Sequence, residues 1–217
     1  MDKDEFTALL GPASQEVGVS LTGSQQELFR LYLEELLEWN QKFNLTGIED
    51  RQDIIIKHFV DSLTPLPYLN VGCRLLDVGS GAGFPGIPLK IAAPQLHVTL
   101  VDASRRKVSF LKQLIRILEL QGISAQHGRI EDLEQANNPF QIIISRAFQR
   151  FEPLLRIVSP FLVPGNMLVA MLGPTASDEL SGFEKLAAAE SLGLSRAVSL
   201  ELPLGRGERT LIFLKKT

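Results

Sequence analysis

Two hydrophobic periodicities divide the chain. Up to about residue 67 the apolar positions recur at helical spacing: Leu28, Leu31, Tyr32, Leu36, Trp39 and Phe43 form a stripe, and Thr22-Gly23-Ser24 offers an N-cap before it. Asn44-Leu45-Thr46-Gly47 breaks that helix, a further helix is expected from Asp50 to Ser62, and Thr64-Pro65-Leu66-Pro67 closes the region. From Arg74 onward strand-like and helical runs alternate. Strands are expected at Arg74–Val78, His97–Val101, Ser124–His127, Phe140–Ser145, Asn166–Met171, Leu194–Leu200 and Thr210–Leu214. The clearest helix between them is Ser104–Leu120, with Val108, Leu111, Ile115 and Leu118 on one apolar face. Strands separated by helices pair in parallel through right-handed crossovers, which predicts an α/β, doubly wound, mostly parallel sheet. No long helix separates the last two strands, so the final one is expected to enter antiparallel. The expected organisation is an N-terminal helical cap over residues 1–70 and a ligand-binding domain over 71–217.

Composition and charge narrow the class. The hydrophobic content of 45% suits a globular core. "MDKDEFTALL" is charged where a signal peptide is apolar, and no run reaches the roughly 18 apolar residues that span a bilayer. A lone cysteine, Cys73, and three histidines offer neither an internal disulfide nor a zinc-spaced cluster. The expectation is a cytoplasmic, metal-independent protein, taken as a monomer. A net charge of −3 does not announce a nucleic-acid binder, but it is unevenly spread: residues 1–70 carry 5 Lys/Arg against 12 Asp/Glu, and residues 71–217 carry 17 against 13.

The candidate chemistry lies in "LLDVGSGAGFPG", residues 75–86, a strand running into a glycine-rich turn and a helix. A phosphate-binding Walker loop needs Lys-Ser/Thr after its last glycine, whereas Gly86 is followed by Ile87-Pro88. The dinucleotide fingerprint is present as Gly81, Gly83 and Gly86. Asp77, directly before Gly79-x-Gly81-x-Gly83, would repel a pyrophosphate at the turn and suits a ligand with an ammonium end, such as S-adenosylmethionine. Asp102, ending the next strand, suits a ribose diol of either ligand. A purely structural glycine turn remains the bland alternative.

"DVGSGAGFPGIPL", "LVDASRRKVSFL", "GRIEDL" and "ISRAF", with "WNQKFNLTG" and "HFVDSL" before them and "GERTLIFLKK" after, resemble the bacterial small-subunit ribosomal RNA methyltransferase G family, also called glucose-inhibited division protein B. The resemblance covers nearly the whole chain. It implies a class I methyltransferase fold, S-adenosylmethionine as cofactor, and methylation of guanine N7 in the decoding-region loop of 16S ribosomal RNA, within the small subunit or its precursor. It implies that Gly79 and Phe84 line the cofactor pocket, that Asp102, Ala103 and Ser104 hold the ribose, and that Ile130 and Glu131 flank the adenine. Arg146 is implied where cofactor and substrate meet, and Arg129 and Arg209 near RNA. Leu172 stands where the family commonly has lysine.

The residues suit N7. "ISRAF" lacks the Asp/Asn-Pro-Pro-aromatic motif of exocyclic-amine methylation, "NPF" at Asn138–Phe140 reads as a turn, and Cys73 precedes the first strand, away from a pyrimidine-C5 nucleophile's place. Guanine N7 carries no proton, so alignment and water exclusion suffice, and an arginine donating to O6 would orient the base. Arg146 is the first candidate, with contact to the cofactor carboxylate or a structural ion pair as its alternatives. His58, Asp61 and Ser62 sit within one helix, read as packing and capping rather than a relay. Asn44 and Thr46 are candidates to face the target base, with turn chemistry as the rival explanation. Phe148 and Phe151 are candidate stacking or core aromatics. A methyltransferase for another nucleobase or a small molecule and a non-catalytic RNA-binding assembly protein are the rival functions.

Overall fold

The structure is a computed structural model that describes residues 1–133, 140–146, 151–173 and 186–217. Asn138, Phe148 and the side chain of Phe151 lie outside the described residues. Two capping boxes start the N-terminal helices. Asp2 and Glu5 exchange side-chain-to-backbone hydrogen bonds ahead of α1 (Lys3–Glu16), and Thr22 and Gln25 do the same ahead of α2 (Gly23–Phe43). The buried stripe of α2 centres on Phe29, Tyr32, Leu33 and Leu36. Phe43, the last residue of α2 before the left-handed Asn44 cap, is exposed, its ring resting on Trp39 rather than in the core. The helix expected from Asp50 to Ser62 changes its winding partway. α3 (Arg51–Ile54), capped by Asp50, passes into a π-helical stretch, Ile55–Val60, and then α4 (Asp61–Leu63). Apolar periodicity does not distinguish this wider winding from an α-helix.

The strands are β1 (Arg74–Val78), β2 (His97–Asp102), β3 (Ile123–His127), β4 (Ile142–Ser145), β5 (Met167–Leu172), β6 (Leu192–Glu201) and β7 (Glu208–Lys216). They form one sheet in the order β3-β2-β1-β4-β5-β7-β6, parallel except for β7, which runs antiparallel to both neighbours. The expected late antiparallel strand is therefore present. β4 is shorter than the apolar run suggested. Phe140 gives its carbonyl to Asn166 Nδ2 rather than to the ladder, at 2.7 Å.

Side chains alternate between the two faces. Leu75, Ile142, Ile144, Val169, Met171 and Phe213 join one core, and Leu76, Val78, Ile143, Leu168, Ala170 and Leu214 the other. The second core is closed by Leu154, Leu155 and Val158 of α7 (Phe151–Val158). The first contains α5 (Gly86–Ala92), α6 (Arg105–Ile117) and, in the same continuous cluster, Phe6, Phe29, Leu36 and Phe59 of the N-terminal helices.

The N-terminal helices meet the glycine loop through Tyr32. Its hydroxyl donates to the Ala82 carbonyl at 2.5 Å, and its ring stacks on Phe84 with centroids 5.4 Å apart. Gly83 makes that approach possible. At φ 104° it adopts backbone that disfavours a side chain, and a Cβ there would stand 2.6 Å from the Tyr32 hydroxyl and 2.8 Å from Ile87 Cδ1. Gly83→Ala is expected to lose about 2–3 kcal/mol from backbone strain and overpacking, roughly 4–12 °C in Tm for a domain this size. Urea and thermal unfolding measure it, and an unchanged midpoint would mean that α2 does not hold the loop in solution.

Candidate functional site

The carboxyl ends of β1 and β2 are tied together by the glycine loop. The amides of Gly79 and Ser80 donate to the Val101 carbonyl, and Ser80 Oγ donates to the Asp77 carbonyl. Asp102 braces the loop with both oxygens. Oδ2 accepts from the Gly81 amide at 2.9 Å, and Oδ1 from the Ser104 amide at 2.8 Å. Each oxygen keeps a second lone pair, so the carboxylate retains the capacity to accept a diol.

A cavity of about 270 Å³ opens beside this brace, between the ends of β1, β2 and β3 and Ile157 of α7. Of the residues expected at a cofactor, Gly79, Asp102, Ala103, Ile130 and Glu131 line it. Arg129, expected near RNA, is exposed and lines it too. Val78, Val101, Gly128 and Ile157 complete the wall, and their generic residue types carried no signal in the sequence. Ser104 does not line the cavity; it sits one residue further, where its hydroxyl is the N-cap acceptor of α6. Gly81 contributes its amide to Asp102, and Gly83 faces Tyr32.

Asp77 is fully buried. Its Oδ2 accepts from the Gly86 amide at 2.8 Å at the start of α5, while Oδ1 is enclosed without a partner. A buried carboxylate oxygen left unmatched is costly, and burial pushes this carboxyl up to about 7 against the opposing pull of the Gly86 amide and Arg146. The orphaned oxygen fits a ligand that brings a cationic donor, which a cofactor with an ammonium group does and a pyrophosphate does not.

Phe84 is buried beyond the loop, not in the cavity wall. It stacks on His58 with centroids 4.4 Å apart, and the Arg146 guanidinium lies 4.9 Å from its ring centre. Arg146, at the end of β4, reaches back to the π-helical stretch. Nη1 donates to the Lys57 carbonyl at 3.0 Å and to Asp61 Oδ2 at 3.2 Å, and Nη2 bonds His58 Nδ1 at 2.9 Å. An arginine only donates, so Nδ1 must accept and the neutral ring carries its proton on Nε2, which donates to Thr46 Oγ1 at 2.7 Å. Burial and the adjacent Arg146 charge hold the His58 pKa down to about 3.

Asp61, 1% exposed, also accepts from Arg209 Nε at 2.6 Å, and Arg209 Nη1 bonds the Leu172 carbonyl at 3.5 Å. Arg209 thus turns inward onto a carboxylate. His58 and Asp61, read from sequence as packing and capping, form the direct surroundings of Arg146. The signal available was the i, i+3 pairing in "HFVDSL", which puts an acceptor and a carboxylate on one helical face. Asn44 is exposed at the end of α2, and Thr46 belongs to the His58 network.

The buried Asp77 and His58 have opposite proton linkage. Native Asp77 keeps its proton from about 3.8 to about 7, so its contribution is present at low pH and lost as pH rises through 7. Native His58 refuses a proton between about 3 and 6.5, so its contribution is present above 6.5 and lost as pH falls. Between about pH 4 and 6.5 the two slopes, each about 1.4 kcal/mol per pH unit, oppose one another. Asp77→Asn is expected to unmask the histidine: its stability relative to the parent falls by about 1.4 kcal/mol per unit as pH drops from 6.5 to 4.5. Urea titrations across that range test this, and a pH-independent difference would refute it.

Comparison with known proteins places the chain, rather than any one of its side chains, in a family. The family model described as rRNA small subunit methyltransferase G matches residues 25–211. Relatives named ribosomal RNA small subunit methyltransferase G include one from Geobacter sp. (strain M21), 40% identical over 207 residues, covering 95% of each chain. Another, from Lactobacillus acidophilus, is 40% identical and spans 100% of this chain and 91% of the relative. Among solved structures, the Bacillus subtilis M1A22 tRNA methyltransferase TrmK is 13% identical with a TM-score of 0.59, covering 72% of this chain and 65% of that one. TYW2 from M. jannaschii, solved in complex with AdoMet, has a TM-score of 0.55 at 13% identity, covering 68% of this chain and 71% of that one. These structural likenesses show the class I methyltransferase fold.

Proposed function

This chain belongs to the rRNA small subunit methyltransferase G family, and from that premise we propose that it methylates guanine N7 in the decoding-region loop of 16S ribosomal RNA, using S-adenosylmethionine. S-adenosylmethionine supplies a methyl group already activated on a sulfonium. In this reading the cavity walls around Ile130 take the adenine, Asp102 takes the ribose diol, and the unmatched Asp77 oxygen takes the ammonium. Arg146 orients the guanine through O6.

The observation that carries the choice of acceptor is the state of the groups around Arg146. They offer donors and no free base. His58 is neutral with both ring nitrogens engaged and Asp61 is shared between two arginines, while the unmatched oxygen of Asp77 is assigned in this reading to the cofactor's ammonium. An acceptor that must lose a proton would be poorly served here, whereas N7 has none to lose. The RNA reading is supported by exposed Arg129 on the cavity wall and exposed Arg105 and Arg106 at the start of α6, none in an ion pair among the described residues. The protein is read as a cytoplasmic monomer that binds naked RNA weakly and requires the shaped surface of the small subunit or its precursor. No helix among the described residues is long and apolar enough to cross a membrane.

The test incubates the protein with labelled S-adenosylmethionine and small subunits from a strain lacking this activity, then identifies the labelled nucleoside. Label in 7-methylguanosine is expected, and Arg146→Gln is expected to reduce kcat about 100-fold, the scale of losing base alignment. Label in another nucleoside would discard the N7 reading. Bound cofactor without label would favour a non-catalytic assembly protein.

A further inference from the structure

Arg146 is held from one side only. Three of its five N–H groups are committed: both on Nη1, to the Lys57 carbonyl and Asp61, and one on Nη2, to His58. All three acceptors come from residues 57–61, within the π-helical stretch and the turn after it. The Nε–H and the second Nη2–H have no partner among the described residues.

Each acceptor is itself fixed. His58 Nδ1 can accept only while the ring is neutral, and Thr46 selects that tautomer by accepting from Nε2–H. The ring is further clamped on Phe84. Asp61 is fixed by Arg209, which takes Oδ1 while Arg146 takes Oδ2. Arg209 is 19% exposed, with Nε and Nη1 both directed at protein acceptors. Its geometry is that of a brace for Asp61 rather than of an arm extended toward a phosphate.

We propose that His58 and Asp61 are positioning residues for Arg146, and that Arg209 acts on it through Asp61, so that the guanidinium presents only its Nε–H and one Nη2–H to the methyl acceptor. The proposal rests on the reading of Arg146 as the residue that orients the base. It assigns Arg209 to the alignment of the reaction and not to RNA affinity.

The experiment compares Arg209→Gln, His58→Phe, His58→Asn, Asp61→Asn and the Arg209→Gln/Asp61→Asn double variant in the full chain. It measures kcat and KM for small subunits at several salt concentrations, S-adenosylmethionine affinity, and the Arg146 guanidinium resonances in the cofactor-bound protein. Arg209→Gln and His58→Phe are expected to lower kcat roughly 10- to 100-fold, with KM, its salt slope and cofactor affinity within about threefold of the parent. Asn places an oxygen near the Nδ1 position, so His58→Asn is expected to recover most of the loss in His58→Phe. The double variant is expected to be no worse than Asp61→Asn, because both changes break one chain of contacts. Arg146 is expected to show restricted Nη rotation in the parent and averaged resonances in Arg209→Gln and His58→Phe.

A raised KM with a salt slope reduced by about one and an intact kcat in Arg209→Gln would overturn the proposal in favour of a phosphate contact. A lowered Tm with parental kcat in the folded protein would overturn it in favour of a structural ion pair. If the parent itself transfers no methyl group to subunits, the functional reading fails. The resonances then decide the positioning alone, and unaltered Arg146 signals in both variants would refute it.

Discussion

A carboxylate removed from water and shared by two arginines organises this molecule. Asp61 takes Arg146 from the end of β4 on one oxygen and Arg209 from β7 on the other, so three distant parts of the chain meet at a single group. The magnitude separates this pair of contacts from the others. An exposed pair such as Arg156–Glu152, 70% and 48% exposed, contributes about 0–1 kcal/mol. Removing one partner from a buried cluster leaves an uncompensated charge at about 3–5 kcal/mol. Arg206, 2.7 Å from Asp53, repeats the link between the β6–β7 turn and α3 at a more exposed level.

The helices before β1 are therefore part of the site's frame. Tyr32 reaches the loop at Ala82, and Gln25 Nε2 caps the free carbonyls of Ile91 and Ala92 at the end of α5. His58 and Phe84 place an imidazole and a phenyl ring in the space between those helices and Arg146. The sheet supplies the cavity, at the carboxyl ends of β1 and β2 and beside the loop after β3, on the carboxyl side of the strands where ligands bind in doubly wound folds. The N-terminal helices supply the acceptors that give Arg146, at the end of β4, a defined direction. With His58 and Asp61 both engaged, the surroundings of Arg146 have little capacity to take up a proton, which suits an acceptor atom that is already unprotonated.

Much of the sheet was legible because burial on both faces forces apolar runs whose period and spacing are distinctive. Leu75-Leu76 and Ile142–Ile144 show it, and the missing helix before the last strand revealed its reversed direction. Asp102 was singled out from its strand-end position, and it does line the cavity, but its bracing of the Gly81 and Ser104 amides left no mark in the sequence. Gly83 was misleading. Its place in a ligand fingerprint hid a packing cause, the Tyr32 hydroxyl, which lies 51 residues earlier and leaves no local trace. The winding of residues 55–60 and the inward turn of Arg209 were equally hidden, since both are decided by partners far along the chain. Contacts between charged side chains of high sequence separation have no period, and a single sequence does not display them.

The separation of those partners has a consequence for how the chain is made. Asp61 precedes Arg146 by 85 residues and Arg209 by 148. At about 5–20 residues per second of synthesis, the helix bearing the carboxylate emerges seconds before either cation exists. Arg146 supplies its first counter-charge and Arg209 its second, so a nascent chain truncated before β7 can pair the carboxylate through one oxygen only and leaves the other without its partner.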